Sequence, residues 1–334
     1  MRFQNTIVFS LCIVIFFGCS QQYANQASNS NSEQQNFRAA VASPGWYKPA
    51  NMDTVTIATW NVEHFVDSHD NPYIDNDREN KPPAEIEQRR ELLAEAIKKL
   101  DADVVVFQEL ESDSYLQQFA EKRFPEMGYE VFAALESPDW YMNVVMMSRI
   151  PLGVFHSYAH VNTPIPGQID DDGNPASQTF INNRMWTAEL LVNANYAFTL
   201  TGLHLKAGRG DRNESWRMGQ IQLLRQHFQE LINRDPSRNM MVAGDLNMTS
   251  KSDEFKALLG NSAPQFYDPL AGTGSYSHPS DSLFWRIDHI LPNQNMQPEM
   301  VPQSVNIARP LSMEKMIQVS DHLPVIARFV PNDQ

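Results

Sequence analysis

Cysteine is nearly absent from this chain of 334 residues, because the only two are Cys12 and Cys19, close to the first residue. The rest of the chain therefore contains no disulfide and no thiolate that could bind a soft metal ion. A domain formed by it must be stabilised by its core alone. A hydrophobic content of 42% with 18 Phe and 6 Trp is enough to fill such a core.

The apolar run near the first residue is too short to cross a membrane as a helix. It covers residues 7–17, follows the single basic residue Arg2 and ends at Gly18-Cys19. This pattern predicts a secretory signal at residues 1–18. The Gly18-Cys19 pair is similar to a bacterial lipoprotein cleavage box, although Phe16 stands where leucine is usual. We therefore expect export to the periplasmic side or outer surface of a bacterial membrane, with a lipid anchor on Cys19 or, alternatively, simple secretion.

Positive charge is scarce, since the formal net charge of the chain is −14. This balance argues against affinity for nucleic acid through general electrostatics. It does not exclude an enzyme that acts on phosphates, because bound cations reverse the local potential of an acidic site. One basic cluster, Lys206, Arg209 and Arg212, is a candidate for holding substrate phosphates. An ordinary surface segment is the alternative.

The composition divides the chain into a tether and a folded domain. Residues 19–50 are rich in Gln, Asn and Ser and predict a flexible tether, because they cannot offset their ordering entropy by burial. Strands alternate with helices over residues 51–334, which predicts a single α/β domain. Apolar residues at helical spacing predict helices at residues 82–100 and 214–233. Long loops are expected at residues 67–83 and 164–182.

Polar side chains follow apolar, strand-like runs at several points of the chain. The last such run, residues 317–319, leads directly into Ser320-Asp321-His322. Strand ends that deliver carboxylates, amides and imidazoles to a common rim are typical of metal-dependent hydrolytic sites on α/β scaffolds. The side chains expected at this rim are those of Asn61, Glu109, His204, Asp245, Asn247, Asp288, Asp321 and His322.

The ordered set of motifs resembles that of the endonuclease/exonuclease/phosphatase superfamily. The motifs are Trp60-Asn61-Val62-Glu63, Gln108-Glu109, His204-Leu205-Lys206, Gly244-Asp245-Leu246-Asn247, Arg286-Ile287-Asp288-His289-Ile290 and Ser320-Asp321-His322. The resemblance covers residues 55–329. It implies a four-layer sandwich of two packed mixed β-sheets flanked by helices. It also implies a phosphoester hydrolase that needs Mg²⁺ or Mn²⁺.

The metal-binding residues that we expect carry oxygen ligands, which suit a hard divalent cation. Glu109 is the first candidate, and Asn61 and Asp321 are expected to help hold or orient the ion. Such an ion would polarise the phosphoryl oxygen and stabilise charge on the leaving oxygen.

The candidate base is His322 paired with Asp288, because a carboxylate on one ring nitrogen raises the basicity of the other. Asp245 is the alternative, as the group that orients the attacking water or takes its proton. Asn247 and His204 are expected to donate hydrogen bonds to phosphate oxygens.

Three functions fit these residues. The first is an exported nuclease acting on DNA or RNA, and the second is a hydrolase of phospholipids or small phosphoesters that uses the same mechanism. The third is a non-catalytic surface-binding lipoprotein, against which the intact motif set argues. No protein partner is inferred.

Residues outside the motifs are interpreted as structural. The histidines assigned in this way, as packed or exposed polar residues, are His64, His69, His156, His160, His227 and His278. The aromatic residues assigned mostly to the core, with the rim of the site as the alternative, are Trp140, Tyr141, Phe284 and Trp285.

Overall fold

The computed structural model describes residues 52–137 and 140–332. The expected signal segment, Cys19 and the tether lie outside the described residues. Within the described part, none of the helices combines the length and the apolar character that crossing a membrane requires.

The described residues form two large β-sheets, a small two-stranded sheet and helices. The strands are β1 (Val55–Phe65), β2 (Val104–Leu110), β3 (Val131–Ala134), β4 (Asn143–Ser148), β5 (Leu152–Ser157), β6 (Thr163–Ile169), β7 (Pro175–Gln178), β8 (Met185–Leu191), β9 (Ala197–His204), β10 (Met240–Asp245), β11 (Asp288–Pro292), β12 (Asn306–Ile307) and β13 (Val325–Phe329). The α-helices are α1 (Asp77–Asn80), α2 (Ile86–Leu100), α3 (Asp113–Arg123), α4 (Asp211–Arg234), α5 (Asp253–Leu259) and α6 (Met313–Val319).

Both large sheets are mixed. The six-stranded sheet has the order β12-β13-β1-β2-β4-β3, and the five-stranded sheet has the order β11-β10-β9-β8-β5. Strands β1 and β2 are parallel, as are β9 and β10, whereas the other pairs in the two sheets are antiparallel. The parallel pairs place their carboxyl ends at the same edge of each sheet.

Alternation along the strands builds the layers. In β1, Ile57 packs in a core that also contains Trp186 and Leu200 of the second sheet, so this core lies between the sheets. The side chains that alternate with Ile57 along β1 point to the opposite face of the sheet. On that face, Trp60 packs against α2 and α3. Residue Phe228 of α4 covers the outer face of the second sheet. The expected four-layer sandwich of two packed mixed β-sheets flanked by helices is therefore confirmed.

Two local predictions are wrong. Residues 317–319 belong to helix α6 and not to a strand, because Met316 and Val319 lie three positions apart and are buried on one helical face. Most of the expected loop at residues 164–182 is the hairpin of β6 and β7. Helix α6 ends where Ser320 becomes extended, and this end delivers Asp321 and His322 to the rim of the sheets.

Candidate active site

Strand register brings three of the predicted side chains together in the second sheet. Asp245 ends β10 and pairs with His204 of β9 on one side and with Asp288 of β11 on the other. From the first sheet, Asn61 donates through Nδ2 to Asp245 Oδ2 at 3.1 Å and to Glu109 Oε1 at 3.3 Å. The amide of Asn61 thus joins the carboxylates of the two sheets at one place.

The backbone is strained where these strands end. Glu63, His64, Glu109 and Asn247 all have positive φ, at 45°, 52°, 59° and 50°. This left-handed conformation costs of order 1–3 kcal/mol for a residue other than glycine. It breaks the register between β1 and β2 and lets the His64 backbone N–H donate to Glu109 Oε2 at 3.2 Å. Strain concentrated at one rim is typical of functional sites.

Gly244 is required immediately before Asp245. Its φ is 153°, and a Cβ atom there would lie 1.9 Å from the carbonyl oxygen of Leu203 in the neighbouring strand. Any side chain would therefore push β10 away from β9 and displace Asp245 from His204.

The Gly244→Ala substitution is expected to destabilise the fold by about 1–3 kcal/mol, as overpacking does. The loss is measured as a lower urea midpoint at an unchanged slope. Gly128→Ala is the matched control, because Gly128 also has positive φ but nothing lies within 4 Å of its Cβ position. Equal losses in the two variants would contradict the close approach at Gly244.

The oxygen Asp245 Oδ2 is the point on which the site converges. The Nε2 atoms of His204 and His322 lie 3.6 Å and 3.9 Å from it. Both distances exceed a hydrogen bond, so both nitrogens are available to a phosphate oxygen or a water molecule. Asn247 holds Asp245 in place, because its backbone N–H donates to Oδ1 at 2.8 Å.

Asp288 and His322 form the predicted pair. His322 Nδ1 lies 2.9 Å from Asp288 Oδ2, which also accepts a hydrogen bond from the Ser277 hydroxyl at 2.6 Å. Burial disfavours the imidazolium, but Asp288 and then Asp245 and Asp321 outweigh it and raise the pKa of His322 to about 10. Burial, followed by the charge of Asp288, raises the pKa of Asp245. The three carboxylates around His322 therefore favour its protonated form.

His204 is neutral in this environment. Burial lowers the pKa of His204 to about 4. Its buried Nδ1 has no hydrogen-bond partner among the described residues. Without an acceptor at Nδ1, the proton of the neutral ring belongs on Nε2, the atom directed at Asp245 Oδ2. His204 thus presents a donor to the site.

The donor set fits a hard divalent cation at Glu109. In the part of the chain that the structure describes, no lysine or arginine lies within ion-pair distance of this carboxylate, whose nearest basic groups are the imidazoles of His64 and His204. Oxygen ligands without thiolates suit Mg²⁺ or Mn²⁺. Among the described residues, the charge of Glu109 is therefore not neutralised by a lysine or arginine and remains available to a metal ion.

Three predicted residues have surroundings that differ from those expected. The oxygen of Asn61 accepts from the Glu63 N–H at 3.0 Å, so Asn61 orients Glu109 through its nitrogen. The Asp321 carboxylate lies beside imidazoles, 3.8 Å from His322 Nε2 and 3.5 Å from His278 Nε2. The Asn247 amide donates to Leu205 O at 3.1 Å and is thus already engaged within the protein.

Sequence reasoning missed His64, His278 and Arg184. His64 and His278 had been assigned structural roles, but His64 lies 3.6 Å from Glu109, and the rings of His278 and His322 are 4.4 Å apart. Arg184 makes no side-chain hydrogen bond or ion pair among the described residues, and its charge acts on both Glu109 and His204. Strand pairing could have identified Arg184. It directly precedes Met185, which pairs with Leu203, the residue before His204.

The basic cluster lies on the segment that leads from β9 into α4. The guanidinium of Arg209 lies 4.1 Å from the ring centroid of Trp285, whereas Arg212 and Lys206 lie 5.1 Å and 5.8 Å from that of Trp216. Arg217 is buried and supports this segment, because it pairs with Glu254 and donates to the carbonyls of Lys206 and Gly208.

Comparison with known proteins identifies one family model. The model of the Endonuclease/Exonuclease/phosphatase family matches residues 58–322. No curated protein matches the chain in sequence.

Solved structures share the fold. An endonuclease/exonuclease/phosphatase from Bacteroides vulgatus is 17% identical, with a TM-score of 0.55 over 84% of this chain and 100% of that chain. The human Nocturnin catalytic domain with bound sulfate anion is 17% identical, with a TM-score of 0.56 over 85% and 100% of the two chains. D. rerio TDP2 complexed with single strand DNA product is 17% identical, with a TM-score of 0.55 over 83% and 99%.

Proposed function

This chain belongs to the Endonuclease/Exonuclease/phosphatase family, and on that premise we propose that it is a divalent-metal-dependent phosphodiester hydrolase, an exported nuclease. The observation that carries the proposal is the convergence of two imidazole Nε2 atoms on Asp245 Oδ2, next to the metal candidate Glu109. A phosphate group bound there meets a proton acceptor and two nitrogen donors at once.

Glu109 would hold the metal ion, with Asn61 fixing the orientation of its carboxylate. Mg²⁺ or Mn²⁺ bound there would polarise the phosphoryl oxygen and stabilise charge on the leaving oxygen.

Side chains of this protein accept the proton of the attacking water and stabilise the negative charge that grows on the phosphate. Asp245 Oδ2 receives the proton of the attacking water, because its raised pKa makes it a stronger base than an ordinary aspartate. His322, protonated and held by Asp288, donates through Nε2 to a phosphate oxygen. His204 donates a second hydrogen bond. Of the two candidate bases, the charges thus favour Asp245.

Arg184 supplies a cation to the same phosphate. We expect Arg184→Gln to lower kcat/KM by about 10²-fold, the effect of losing one donor that is aimed at the transition-state charge. Arg184→Lys is the matched variant, because it keeps the positive charge but loses the planar guanidinium group. Its kcat/KM should fall between those of the wild type and of Arg184→Gln. Steady-state kinetics on one phosphodiester substrate measures both. An Arg184→Gln variant with wild-type kcat/KM would contradict this role.

Nucleic acid is the substrate class that the chain's features favour. The D. rerio TDP2 structure contains a single strand DNA product, and this chain shares its fold. Lys206, Arg209 and Arg212 place positive charge beside the site in an otherwise acidic chain. Cations so placed suit a substrate with several phosphates.

A substrate panel tests the proposed function. The purified full chain is assayed with Mg²⁺ or Mn²⁺, and with EDTA, on plasmid DNA, single-stranded RNA, sphingomyelin, inositol phosphates and bis-p-nitrophenyl phosphate. We expect EDTA-sensitive cleavage of nucleic acid. Cleavage confined to lipid or to small phosphoesters would replace the nuclease by the second function, and no cleavage of any substrate would favour the binding lipoprotein.

Export and lipid anchoring belong to the same proposal and rest on residues 1–19 of the sequence. In a bacterial host, we expect the full chain to incorporate radiolabelled palmitate and the Cys19→Ser variant to incorporate none. Equal labelling of the two chains, or no labelling of either, would contradict the anchor.

A further inference from the structure

Three cations beside the active site have no acidic partner. Among the described residues, Lys206, Arg209 and Arg212 form no ion pair with a carboxylate, although the formal net charge of the chain is −14. Burial lowers the pKa of Lys206, and the charges of Arg184 and Arg212 lower it further. A bound anion would relieve this repulsion at Lys206.

Two half-buried tryptophans face these cations. The Trp216 ring contacts Arg212 and Lys206, and its centroid lies 5.1 Å from that of Phe180, which is 61% exposed. The Trp285 ring contacts Arg209, and its neighbour Phe284 is 47% exposed. Ring surface next to cations without acidic partners suits a ligand that has both flat rings and anions.

The Trp285 ring leads to the catalytic residues. It stacks on His278 with an interplanar angle of 8°, and the His278 ring lies 4.4 Å from that of His322. A ring system bound on Trp285 is therefore close to the phosphate that His322 contacts.

The cations that contact the two tryptophans lie on one short segment. Arg209, which contacts Trp285, and Arg212, which contacts Trp216, are three residues apart, so the chain between them spans at most about 11 Å. The two rings therefore border the same short segment beside the active site.

We propose that Trp216 and Trp285, with Lys206, Arg209 and Arg212, form a binding track for single-stranded nucleic acid. This inference rests on the proposed function and names its substrate class. On binding, Arg209 and Arg212 move from the indole rings to the phosphates, and unpaired bases take their place on the two rings. A duplex cannot use the rings, because its bases are already stacked on each other. The track therefore selects single strands.

Binding without turnover tests the track. The full chain is titrated in EDTA with a fluorescent single strand of about 12 nucleotides, with its duplex and with an abasic strand of equal length. We expect tighter binding of the base-carrying single strand than of either competitor. Trp216→Ala should weaken that binding by about 5- to 150-fold, the usual effect of losing one stacked base. It should not weaken binding of the abasic strand, and Trp216→Phe should restore most of the loss.

The charges are tested by salt dependence. Replacing Lys206, Arg209 and Arg212 by Gln should reduce the slope of log K against log salt by about 2, because each single-strand phosphate contact contributes about 0.7. Arg234→Gln is the matched control. It removes one charge from the other end of α4, about 33 Å from Arg212, and should leave the slope unchanged.

Three results would overturn the track: duplex bound as tightly as single strand, a Trp216→Ala loss that is equal on the abasic strand, or a triple variant with the wild-type salt slope. Single-strand binding that Trp216→Ala weakens, in a chain that hydrolyses no nucleic acid, would support the track and refute the proposed function. The two failures are therefore distinguishable.

Discussion

Glu109→Gln is expected to lower phosphodiester hydrolysis by at least about 10³-fold. Loss of the metal's charge stabilisation removes several kcal/mol from the transition state, and each 1.36 kcal/mol is tenfold in rate. Glutamine keeps the shape of Glu109 and its contact with the His64 N–H but lacks the negative charge that attracts the cation. The measurement is kcat/KM as a function of Mg²⁺ concentration, in which the variant should show no saturation where the wild type does.

Glu111→Gln is the matched control for this variant. Glu111 lies two positions further along the chain and accepts a hydrogen bond from the Asp67 N–H, away from the Asp245 cluster. It should keep wild-type kcat/KM and metal saturation. A Glu109→Gln variant that saturates with Mg²⁺ as the wild type does would exclude Glu109 as the metal ligand.

His322→Ala is expected to lose about 10²- to 10⁴-fold in kcat/KM, the usual contribution of a positioned proton donor or acceptor. It should also unfold more easily. Asp288 is fully buried, and removing one partner of a buried ion pair costs about 3–5 kcal/mol. Kinetics are therefore measured where urea titration shows the variant to be folded.

The double variant His322→Ala/Asp288→Ala separates these two effects. It should recover part of the stability, because the buried charge of Asp288 is no longer left without its partner, but none of the activity. His156→Ala, which changes a histidine of β5 outside the site, should leave the kinetics unchanged. Activity that returns in the double variant would contradict the role of His322.

Sequence alone predicted side chains that the fold brings together, because a polar residue at the end of an apolar strand can be recognised locally. Asp245 ends β10 and Asp288 begins β11, and the antiparallel pairing of these strands places the two residues directly opposite each other. Asn61 and Glu109 come from parallel neighbours whose carboxyl ends share an edge. Motifs that follow buried strands therefore predict a common rim before any tertiary contact is known.

The remaining contacts depend on packing that no local pattern encodes. His278 lies in a loop and contacts His322, which is 44 positions further along the chain, and no periodicity marks it. Residues 317–319, with apolar side chains only at Ile317 and Val319, are too few to distinguish a helical from a strand period, and burial of Met316 decides for the helix. The orientation of the Asn61 amide is set by the Glu63 N–H, which requires the strained bulge of β1.

The most direct test of the central claim is one cleavage assay on single-stranded DNA with the full chain, carried out with Mg²⁺, then with EDTA, then with Mg²⁺ in excess of EDTA. The Asp245→Asn variant is treated in the same way, because this substitution removes the proposed proton acceptor and keeps its shape. We predict cleavage that stops with EDTA and returns with Mg²⁺ in the wild type, and none above background in the variant. Cleavage that persists in EDTA, or that Asp245→Asn retains in full, would contradict a metal-dependent hydrolysis centred on Asp245.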